Sequence, residues 1–75
     1  MPFIDIKVIA GVFTPEEKQK MVEDVSEALI AIEGEALRPV THVVITETPS
    51  GEWAVGGKAL TAEDVQAKRA DQPKR

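Results

Sequence analysis

Pro2 stands directly behind Met1, and loss of that methionine converts its nitrogen from an amide into a secondary amine with a lone pair. Such an amine is a general base. A free α-amino group titrates at about 7.7–8.0, and the secondary amine of proline is intrinsically more basic. Burial in apolar surroundings disfavours its charged form and draws it toward neutrality, where proton transfer works best. Other catalytic constellations are missing from the sequence: there is no cysteine nucleophile, no GxSxG, no GxGxxG and no P-loop. Gly56-Gly57-Lys58 lacks the strand-to-helix setting of a phosphate loop and reads as a turn. His42 is the single histidine, so a histidine-based metal site is not expected, and neither is a cofactor.

The elements that must position Pro2 follow from periodicity. From Phe3 to Ile9, Ile4, Ile6 and Val8 share one face and Asp5 and Lys7 the other, the alternation of a strand. Proline is tolerated at a strand's first residue, where Pro2 falls. Lys7 shares its face with Phe3 and Asp5 and is read as facing solvent. Thr14-Pro15-Glu16-Glu17 is a capping-box start with proline at the first helical position. Met21, Val22, Val25, Ala28, Leu29 and Ile32 then mark an apolar helix stripe that stops at Gly34. Arg38-Pro39 breaks the helix, and Thr41 to Glu47 is a second, largely buried strand. Strand, helix and strand make a βαβ unit with parallel strands. Glu52 to Val55 is a short extended piece between the turns at Pro49-Ser50-Gly51 and Gly56-Gly57, and Thr61 to Val65 is a short capped helical turn.

At 75 residues without cysteine, the chain is one small domain that buries only about 60% of its unfolded surface. Oligomerisation is the remaining common source of stability, and pairing two copies into a four-stranded sheet covers exposed strand edges. No apolar run approaches membrane-spanning length, and no basic segment leads into an apolar core as in a secretory signal, so a cytoplasmic protein without membrane contact is expected. The net charge of −4 is uneven. Lys68, Arg69, Lys74 and Arg75 lie in the last eight residues, and the rest carries five basic and twelve acidic residues, net −7. So acidic a body repels phosphate backbones and excludes nucleic-acid binding as the main function. Residues 61–75 read as the short helical turn followed by a polar, flexible tail, and residues 1–60 as the folded domain.

Taken together, Pro2 opening PFIDIKVIAG, the capped helix TPEEKQKMVEDVSEALIAI, the strand THVVITE and the segment GEWAVGGKAL resemble the 4-oxalocrotonate tautomerase family over residues 2–60. The resemblance implies an α/β (α+β) fold of tautomerase/MIF-like type: a β-α-β subunit with a C-terminal hairpin segment, dimerising into a four-stranded sheet. It further implies a homohexamer built as a trimer of dimers. By the same likeness the chain is a cofactor-independent isomerase in which Pro2 moves a proton between carbon and oxygen of a small keto or enol acid. Two arginines of the best-known tautomerases match Val12 and His42 here, and the pocket aromatic matches Trp53. Val12 cannot pair with a carboxylate, a loss of about 1.5–3 kcal/mol of binding that favours a monocarboxylate or aryl keto acid. His42 is then the donor to an enolate oxygen, Trp53 a pocket wall, and Arg38 the replacement cation. Two alternatives stay open at this point. One is hydration, dehalogenation or decarboxylation on the same fold, with Glu52 activating water; the other is a non-catalytic assembly module.

Overall fold

A computed structural model describes residues 1–71. Residues 72–75, which hold Lys74 and Arg75 of the expected flexible tail, lie outside the described residues. The alternation in the sequence produces β1, Phe3–Ile9, whose partner β2 is His42–Thr48. They pair in parallel, with Phe3 beside His42, Ile6 beside Ile45 and Ile9 beside Thr48. The face carrying Ile4, Ile6 and Val8 is partly buried, whereas Phe3, Asp5 and Lys7 are exposed on the other.

Between the strands runs α1, Pro15–Glu33. Its start is fixed locally. The Thr14 hydroxyl accepts from the Glu17 amide at 3.1 Å, and the Thr14 amide donates to the Glu17 carboxylate at 2.9 Å. Because Pro15 has no N–H, three amides at this start lack helical partners, and two of them are thereby satisfied. The inward stripe differs from the expectation in its last turn, where Ile30 is 4% exposed and Ile32 86%. The cause is the 3₁₀ helix Glu35–Val40 that follows Gly34. Glu27 binds Arg38 and Glu33 accepts from Thr41, so the returning chain covers the flank of α1 that carries residues 27, 30 and 33. Ile32 is on the opposite flank.

After β2 a tight hairpin joins β3, Trp53–Val55, to β4, Lys58–Leu60, with Trp53 paired to Leu60. Gly56 and Gly57 turn the chain at φ values of 59° and 83°. Two successive positive φ values suit a two-residue hairpin loop and are adopted at little cost only without a Cβ. The last element among the described residues is α2, Ala62–Ala70, capped reciprocally by Thr61 and Asp64. It is longer than a single turn because its exposed-looking polar residues have partners: Gln66 and Arg69 reach back to the loop between β1 and α1. No helix among the described residues is long and apolar enough to cross a membrane.

Candidate active site

Parallel pairing brings two of the singled-out residues together. The carbonyl of Pro2 accepts from the His42 amide at 3.0 Å, and the His42 ring stacks on Phe3 with centroids 6.3 Å apart. Pro2 is half-buried at the head of β1, while His42 is exposed on the open face of the sheet. The Met1 amine donates to the Val40 carbonyl at 2.8 Å, which ties the N-terminus to the end of the 3₁₀ helix.

Arg38 lies near this end of the sheet, but its guanidinium is engaged. It donates to both oxygens of Glu27, at 2.7 and 3.1 Å, and to both oxygens of Glu35, at 2.9 and 2.7 Å. Two carboxylates hold it protonated well above its ordinary range, with Glu35 the larger influence. Arg38 is thus a clip between α1 and the 3₁₀ helix, and the expectation of a free replacement cation does not survive this geometry. Glu52 is exposed in the turn before β3, its amide donating to the Pro49 carbonyl at 3.0 Å, and no described group orients its carboxylate toward a water site.

Trp53 is placed elsewhere. It lines a groove of about 290 Å³ at the far end of β1, together with Val8, Ile9, Val12, Leu60 and Val65. Seven residues of strand put this groove about 20 Å from Pro2 of the same chain. Lys7 is exposed, as its face suggested, and also borders the groove. Its ammonium donates to Asp5 at 2.8 Å, and Asp5 in turn accepts from the Thr46 hydroxyl at 2.7 Å. Val65, Gln66 and Arg69 of α2 were not visible as site residues, because nothing local in AEDVQAKRA marks a wall of a pocket.

Four carboxylates at the surface, Glu17 among them half-buried, are held below their ordinary pKa by cations: Asp5 by Lys7, Glu17 by Arg69, and Glu27 and Glu35 by Arg38. A carboxyl whose folded pKa is depressed contributes stability above its unfolded pKa and loses it as pH falls through the folded value. Thermal unfolding followed from pH 7 to pH 2 is therefore expected to hold a constant Tm down to about pH 5 and to fall steadily below about pH 4. At pH 7, 1 M salt should lower Tm part of the way, because exposed pairs are screened.

A β-α-β unit with a hairpin over one end of the sheet, and a proline at the head of its first strand, defines the class of small tautomerases. Family comparison agrees: the family described as "Tautomerase enzyme" matches residues 2–63. The chain belongs to this family, within its 4-oxalocrotonate tautomerase branch, and is an isomerase. It is 32% identical over 68 residues to "Probable tautomerase K2" of Dickeya dadantii (strain 3937), covering 89% of this chain and 98% of that one. Among solved structures, the apo form of unFused 4-OT superposes with a TM-score of 0.69 at 30% identity, over 84% of this chain and 97% of the other. TomN, a 4-oxalocrotonate tautomerase homologue in the tomaymycin biosynthetic pathway, also gives 0.69, at 26% identity over 97% of this chain and all of its own.

Proposed function

We propose that the protein is a cofactor-independent keto-enol tautomerase of a small enol or keto acid, with Pro2 as the acid/base after removal of Met1. The observation that carries this is Pro2 at the head of β1, half-buried beside His42, in a chain of the tautomerase family. The neutral Pro2 nitrogen takes the proton of an enol hydroxyl and leaves an enolate. The resulting ammonium then returns that proton to a carbon of the delocalised anion, so atoms and charge balance and the base is regenerated. His42 donates an imidazole N–H to the enolate oxygen.

The site is completed by a second copy. The outer edge of β1 has no partner among the described residues. Antiparallel pairing of two β1 edges, end to end, sets Phe3 against Ile9 of a second copy and carries Pro2 to the groove that Trp53 walls. The two half-sites 20 Å apart in one chain become one. Further assembly into a homohexamer fits the family, and a cytoplasmic location fits the charge and composition.

The test is the N-terminus itself. Intact mass should show a chain lacking Met1, and a bromo-keto acid should add one equivalent to Pro2 and abolish ketonisation of an enol substrate in step. A protein that retains Met1 yet turns over enols at full rate would remove Pro2 from the chemistry.

A further inference from the structure

The groove beside Trp53 has a wall that comes from outside residues 2–63. Val65 lines it directly. Within one turn after Val65, α2 lies on the loop that carries Val12 and Phe13. Gln66 donates to the Val12 carbonyl at 2.7 Å, and Arg69 donates to the same carbonyl at 3.2 Å. Arg69 also pairs with Glu17 at 2.7 Å and lies over the Phe13 ring, 4.8 Å from its centroid. Val12 is pressed under this clamp to 3% exposure. The Gly11 and Ala62 backbones are close enough that a Cβ on Gly11 would stand 3.6 Å from that of Ala62.

We infer that α2 is the specificity element of this tautomerase: Val65 with Val12, Trp53 and Leu60 forms a seat for the apolar tail of the substrate, and Gln66 and Arg69 are positioning residues that hold the loop side of that seat. The inference rests on the tautomerase reading for the chemistry, and adds the class of molecule, an enol monoacid with an aryl or branched alkyl tail. The charge distribution decides between tails. Among the described residues Lys7 is the single cation bordering this groove, and its ammonium is already paired with Asp5. Lys58 and Lys68 border a neighbouring groove that shares Leu60 and Val65, whereas a second carboxylate beside Val8, Ile9 and Val12 would have no cation among the described residues to pair with, which costs several kcal/mol. An apolar tail gains by the same burial, and Trp53 offers an aromatic face to a ring.

The mature protein is assayed with phenylenolpyruvate, an aryl monoacid, and with 2-hydroxymuconate, a diacid. The wild type should favour phenylenolpyruvate in kcat/KM by tenfold or more. Val65→Lys should reverse the order, and Val65→Gln should reduce it several-fold if the lysine variant does not fold. Arg69→Leu should raise KM for phenylenolpyruvate about tenfold with kcat nearly unchanged, and Arg69→Lys should recover part of the loss. Trp53, the only tryptophan, gives a readout independent of turnover: 3-phenylpropionate should perturb its fluorescence saturably and adipate should not. A wild type that prefers 2-hydroxymuconate, or an order unmoved in a folded Val65 variant, overturns the inference and leaves the tautomerase intact. Inactivity toward both enols overturns the tautomerase reading, and the fluorescence titration then decides the tail class alone, with equal binding of adipate counting against it.

Discussion

Replacing Pro2 by alanine is expected to lower kcat for enol ketonisation by about 10²-fold, and blocking removal of Met1 to lower it by about 10⁴-fold, the two ends of the range for a positioned acid/base. The difference between them is chemical. Alanine at a processed N-terminus still offers an amine, but a less basic one on a freely rotating residue. A retained Met1 turns the nitrogen of Pro2 into an amide, which accepts no proton at neutral pH. Neither change removes a contact on which the strand depends. The bond from the His42 amide to residue 2 uses a backbone carbonyl that alanine also has, and proline at a strand's first position contributes no ladder donor. Circular dichroism and sedimentation should therefore match the wild type while stopped-flow ketonisation separates the three proteins. In the wild type the acid limb of kcat/KM should report the amine of Pro2, and in the alanine variant that limb should move. An alanine protein with full kcat and an unmoved limb would assign the proton transfer to another group.

That prediction concerns the part of the molecule that was legible from the chain. β1, α1 and β2 could be read because each is written in local terms. Ile4, Ile6 and Val8 alternate, Thr14 and Glu17 close a capping box within four residues, and Val43, Val44 and Ile45 favour a strand wherever they are placed. Position 2 stands out for the same reason: the reactivity proposed for it starts from its place in the chain. What could not be read depends on where separated segments meet. Arg38 looked like a spare cation until Glu27, eleven residues away, took two of its donors. Ile32 and Ile30 exchange roles because of a 3₁₀ helix that the Arg38-Pro39 pair seemed to forbid. Arg69 reads as part of a solvated tail by composition, yet it bridges 57 positions to the carbonyl of Val12. Contacts of that range leave no periodic trace in a sequence.

Installing the arginine that the best-known tautomerases carry at position 12 is expected to destabilise this protein by about 3 kcal/mol and not to restore a diacid preference. Val12 is 3% exposed and packs into the apolar wall of the groove, so an arginine there sets a cation among apolar side chains with little room for its stem. An uncompensated buried charge costs about 3–5 kcal/mol. The nearest guanidinium makes matters worse: Arg69 already donates to the carbonyl of residue 12 and is paired to Glu17, leaving two cations to share one carboxylate. In a domain of this length each kcal/mol shifts Tm by about 4–8 °C, so Val12→Arg should melt about 12–24 °C below the wild type. The double variant Val12→Arg/Arg69→Gln isolates the cause. Removing the second cation should return part of the loss, with a coupling of more than about 0.5 kcal/mol, because residues in direct contact do not add. If Val12→Arg instead keeps the wild-type Tm and gains affinity for 2-hydroxymuconate, the loop yields enough to seat a guanidinium in the groove and α2 does not clamp it. The expected outcome places loss of the family arginine and recruitment of Arg69 on one physical footing: a loop held from outside by α2 has no room for a cation of its own, and the groove it borders takes an apolar guest.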